Sequence, residues 1–138
     1  MKLSQQVCSL ELAKKLKKLN CKQESLWYWD CLNRDEPELC LDNQRGSIIN
    51  KDNYYEQFEY SAFTVAELGE MLHKDTKNND FPFYASSKSP SRTKSFRGWQ
   101  CFQGNSWLDS KIVKNAETEA DARAKCLIYL IENKLIEL

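Results

Sequence analysis

Apolar residues recur at helical spacing in three stretches of this chain, and those stretches set its skeleton. Leu12, Ala13, Leu16 and Leu19 fall on one stripe, with Lys14, Lys15, Lys17 and Lys18 between them. That alternation predicts an amphipathic helix with a basic outer face. Ser9 stands where an N-cap is needed and Asn20 where a helix stops. A second helix is predicted from Val65, Leu68, Met71 and Leu72, opened by Thr64 and Glu67 as a capping box. His73 and Lys74 close it, where cations suit the negative pole of the helix dipole. The third runs through Ala120, Ala124, Leu127, Ile128 and Ile131. Thr118 and Asp121 form a second capping box, Asn133 ends the helix, and Leu135 and Ile136 pack back as a tail. Small residues at 120, 122 and 124 predict that this helix sits close against a sheet.

Between the helices the period shortens. Leu26-Trp27-Tyr28-Trp29, Phe81-Pro82-Phe83-Tyr84 and Trp99-Gln100-Cys101-Phe102 are short and aromatic, as strands are. One face of the first is expected in the core, with Tyr28 on the exposed face. Pro82 lacks a backbone donor and assigns its strand to an edge. Residues 30–42 read as an acidic hairpin or loop with a short strand at Leu39-Cys40-Leu41, residues 43–57 as irregular, and Trp107 as the start of a final strand. The order is helix, strands, helix, strands, helix, with no repeat and no linker. It predicts one α+β domain over residues 1–138, an antiparallel sheet of about four to five strands packed by about three helices.

Charge and cysteine content narrow the chemistry. Twenty basic and 20 acidic side chains leave no net charge, which counts against a dedicated DNA-binding domain. The chain opens without an apolar run of the length a signal peptide needs, and no long apolar stretch follows. A cytoplasmic location is therefore expected, with all six cysteines as free thiols. Cys21, Cys31 and Cys40 lack the close pairing of structural zinc sites, and no metal or cofactor is implied. Cys101 and Cys126 fall on apolar-patterned elements, as small core residues do. His73 is the sole imidazole, and it stands at a helix end. No nucleophile elbow, triad spacing or phosphate-binding glycine loop occurs, so no catalytic residue is assigned.

The candidate binding residues lie in a basic, serine-rich stretch between two predicted strands. Lys88, Arg92, Lys94 and Arg97, interleaved with Ser86, Ser87, Ser89, Ser91 and Thr93, supply the donors that hold phosphate oxygens. Phe96 and Trp99 stand beside them as stacking surfaces for a base. The same composition also suits a solvated hairpin tip.

Three stretches resemble a group of uncharacterised phage and prophage proteins. They are residues 118–136, the opening 10–19 with 23–29, and the segment 62–72, together about a third of the chain. The resemblance implies a small accessory protein of a phage or mobile element, with a sheet sandwiched between helices, and it supplies no site residues. The leading expectation is thus a non-enzymatic module that engages a host or phage protein. The alternative is nucleotide or nucleic-acid binding through residues 86–99.

Overall fold

The computed structural model describes residues 2–32, 35–41, 58–73, 84–88, 98–103 and 112–136. Helices form where the apolar spacing puts them: α1 over Leu10–Lys18, α2 over Val65–His73 and α3 over Glu119–Glu132. The strands are β1 (Trp27–Asp30), β2 (Glu38–Leu41), β3 (Glu59–Ser61), β4 (Tyr84–Lys88), β5 (Trp99–Gln103) and β6 (Val113–Ala116).

The α+β class holds, but among the described residues the strands build two antiparallel sheets rather than one. Their orders are β2-β1-β3 and β4-β5-β6. In their registers Tyr28 faces Cys40 and Ser61, and Cys101 faces Ser86 and Lys114. Helix α3 packs against β4, β5 and β6 and against α1 and α2, while β3 packs on α1 and β4 also touches α2. Helix α3 is thus surrounded by both sheet and helices.

That enclosure explains the composition of α3. Ala120, Ala122, Ala124, Cys126, Leu127, Ile128 and Leu130 are all buried. At about 100° per residue they cover roughly two-thirds of the helix circumference. A helix buried around so much of its surface needs small residues where backbones approach, and the alanines supply them. Cys101 of β5 and Cys126 of α3 both lie in this core, and all six thiols are free. None of the described helices is long and apolar enough to cross a membrane.

The helix ends follow their caps, with two departures. At the start of α3, Thr118 Oγ1 accepts from Asp121 N–H at 3.2 Å. The Asp121 carboxylate, however, takes the backbone N–H of Ser9 at 2.7 Å. The Ser9 side chain makes no cap bond, although Ser9 occupies the N-cap position of α1. The expected second capping box is thus only half local, and its other half is a tertiary clamp between the first turns of two helices. Both α1 and α3 end in Schellman turns. Cys21 N–H reaches Leu16 O and Leu135 N–H reaches Leu130 O, with Asn20 and Lys134 in left-handed conformation. Lys134 is a costly choice there, and the buried Ile136 beyond it shows what the turn achieves by folding the tail back.

A second correction concerns β1. Tyr28 is buried, with 3% of its surface accessible. Its hydroxyl donates to Gln23 O and accepts from Ser25 N–H. Trp27 and Trp29 are the half-buried pair, and the Trp29 indole N–H donates to Cys8 O at 2.9 Å. A buried tyrosine with both hydroxyl functions satisfied is stable in a core, so aromatic identity alone does not say which face of this strand turns outward. Phe81 to Phe83, Trp107 and residues 43–57 lie outside the described residues.

Burial pushes the Cys8 thiol up from its ordinary 9.0 to about 12. The Cys126 thiol is raised by its hydrogen bond with Cys101 and then by burial. A raised thiol stabilises the fold fully below the unfolded-state pKa. That stabilisation is lost as pH rises towards the folded value, because the unfolded chain releases the proton first. Stability measured by urea denaturation should therefore begin to fall above pH 9, with Cys8 contributing about 1.4 kcal/mol per pH unit. Cys8→Ala should flatten that slope, and an unchanged slope would contradict the assignment.

Candidate functional site

A cleft of about 680 Å³ opens where the two sheets and the first turns of α2 and α3 meet. Trp27 of β1 and Trp99 of β5 line it, and both are half-buried. Val65 and Ala66 come from the first turn of α2, next to its cap Thr64. Glu117, Thr118, Glu119 and Arg123 come from the start of α3. Leu3, Gln5 and Gln6 of the N-terminal arm complete the wall. The volume lies in the usual range of ligand pockets.

Each wall is held by identifiable bonds. Glu67 closes the capping box of α2: Thr64 N–H donates to its Oε2 at 2.7 Å, and Glu67 N–H donates to Thr64 Oγ1 at 3.2 Å. The same carboxylate also accepts from Ser25 Oγ at 3.0 Å and Leu26 N–H at 3.0 Å. A cap that satisfies its own helix therefore also fixes the residue immediately before Trp27. The N-terminal arm is held by Val65 N–H to Gln6 O at 3.2 Å, Cys8 N–H to Phe63 O at 2.9 Å, and the Asp121 clamp on Ser9.

The electrostatics are set at the start of α3. Arg123 donates through Nε at 3.1 Å and Nη2 at 2.8 Å to one oxygen of Glu119, four residues earlier. Both side chains are mostly buried, about a fifth of each being accessible. The guanidinium lies over Gly69 of α2, in space that a Cβ at that position would occupy. Glycine inside a helix costs about 1 kcal/mol relative to alanine, and here it makes room for Arg123. Glu117 lies just outside the helix, exposed, with no ion pair among the described residues. Among the described residues of the wall, two carboxylates stand against one guanidinium.

Of the residues singled out from sequence, Trp99 lines the cleft and Lys88 is its register partner on β4. Arg92, Lys94 and Arg97, with Phe96, lie outside the described residues. The serine-rich stretch between the two predicted strands begins as strand itself, since β4 runs to Lys88. Sequence reasoning did not bring Trp27, Glu117, Glu119 and Arg123 to the site. A usable signal existed: both threonine caps open helices whose first turns converge on one place. Among the described residues, no three of His, Cys, Asp or Glu gather as a metal-ligand set.

Comparison with protein-family models, curated proteins and solved structures returns no match for this chain.

Gly69→Ala tests how the wall is built. The gain in helix propensity, about 1 kcal/mol, opposes the displacement of a part-buried ion pair of similar worth. Urea denaturation should show a change below about 1 kcal/mol, while the Arg123 Nε–H signal in an NMR spectrum moves. A loss above about 3 kcal/mol would show that Arg123 cannot give way.

Proposed function

We propose that the chain is a non-enzymatic protein-interaction module, an accessory protein of phage or mobile-element type working in the host cytoplasm. It takes a short segment of a partner protein into the cleft between Trp27 and Trp99. The observation that carries this reading is the pair of half-buried indoles on different sheets lining one concave surface. Tryptophan offers large contact area at little entropic cost and dominates the energetics of many interfaces. The Gln5 and Gln6 side chains on the same walls supply polar groups that fix the orientation of a bound backbone. Leu26 stands 64% exposed next to Trp27 and extends the apolar surface outside the cleft.

Nucleotide or nucleic-acid binding through residues 86–99 is the competing reading, since Trp99 offers a stacking surface. The cleft disfavours it. Glu117 and Glu119 line the wall that a phosphate would approach, and Arg123, the cation there, already serves Glu119. Carboxylates repel the backbone charge that supplies most nucleic-acid affinity.

Peptide display against the purified full chain, followed by titration of selected peptides, separates the two. Micromolar peptides are expected, weakened about 10-fold or more by Trp99→Ala, as for an interface hot spot. Ala66→Trp fills the mouth of the cleft from an exposed helix position and should weaken them similarly without disturbing the core. Absence of any selected peptide, together with salt-sensitive binding of a single-stranded oligonucleotide lost in Arg92→Ala/Lys94→Ala/Arg97→Ala, would overturn the proposal in favour of nucleic acid.

A further inference from the structure

The charge on the cleft wall narrows the partner. We infer that the segment bound between Trp27 and Trp99 presents a basic side chain, arginine or lysine, whose charge is met by Glu117. This inference rests on the protein-interaction reading above.

Three features of the cleft select a cation. Indole faces attract ammonium and guanidinium groups through the ring quadrupole, and tryptophan does so most strongly of the aromatic residues. Two indoles line this cleft. The two glutamates beside them are not equivalent. Glu119 accepts two bonds from Arg123 and lies in the first turn of α3, where the helix dipole further offsets its charge. Glu117 precedes the cap residue Thr118, is exposed, and has no such partner among the described residues. It is the wall's uncompensated charge.

Among the described lining residues the others are neutral, so an anionic or neutral side chain gains nothing from Glu117. Arg123 does not reverse the sign, since meeting an anion would mean breaking its mostly buried ion pair with Glu119. An incoming arginine places its aliphatic stem on the indoles and its charged fork at the cleft rim. The chain carries no net charge, so recognition of the cation is local rather than a matter of long-range attraction.

The test uses the full chain and three blocked tripeptides, Ala-Arg-Ala, its neutral citrulline counterpart, and Ala-Glu-Ala. Binding is read from the Trp27 and Trp99 indole N–H signals in NMR spectra. The arginine peptide should shift both signals and bind roughly 3-fold or more tightly than the citrulline peptide, with the glutamate peptide weakest. Glu117→Gln should weaken the arginine peptide by about 2- to 5-fold, and Glu117→Lys should abolish its advantage. Glu117 is exposed, so both variants keep the fold. Equal titration by arginine and citrulline peptides, or an arginine affinity indifferent to Glu117→Lys, would overturn the inference. In that case display-selected peptides that still depend on Trp99 would leave the module standing. If those also fail, the cleft itself is not the binding site.

Discussion

The architecture depends on burying α3 around about two-thirds of its circumference. A helix on a protein surface buries one stripe, and its sequence carries one apolar stripe to match. Helix α3 instead buries Ala120, Ala124, Leu127 and Ile128 together with Ala122, Cys126 and Leu130, positions that no single stripe contains. Its neighbours are β4, β5 and β6 together with α1 and α2. Close packing against all of them tolerates no extra volume, which is why alanine fills the first two turns. The two sheets do not pair with one another among the described residues, and α3, with the smaller α2–β4 contact beside it, joins β4-β5-β6 to the other helices.

Carboxylates at helix starts turn that packing into a site. Glu67 caps α2 and also holds Ser25 and Leu26, ahead of Trp27. Asp121 in the first turn of α3 holds Ser9, and with it the arm that carries Leu3 to Gln6. Each acid sits where a helix dipole favours it and satisfies backbone or hydroxyl donors outside its own helix. The cleft is the space left between these clamped starts, with one tryptophan contributed by each sheet. Its location follows from how the helices begin, and the glutamates at the start of α3 supply the carboxylates among its described residues.

Much of the skeleton was legible in the chain because it is encoded locally. The stripes of α1 and α2, the Thr64–Glu67 box and the Asn20 stop are all short-range patterns, as is the strand at Trp99. What escaped was non-local. β6 is Val-Lys-Asn-Ala and β4 is Tyr-Ala-Ser-Ser-Lys, sequences with little strand preference that are held by pairing to β5. The single expected sheet became two because local periodicity predicts strands but not which strands pair. Asp121 looked like half of a capping box, and no sequence spacing announces that its carboxylate reaches Ser9, 112 positions away. Of the candidate site only Trp99 was placed in advance. Trp27 and Arg123 arrive there through the packing of α2 against α3, which periodicity does not reveal.

The most direct measurement is native-state hydrogen exchange followed amide by amide on the free chain. If α3 joins β4-β5-β6 to the other helices, the amides of Ala122 to Leu130 can exchange only by global opening, and they should be the slowest in the protein, matching the free energy from urea denaturation. Exchange of those amides while the strands of either sheet stay protected would contradict the central role of α3 and the origin of the cleft with it.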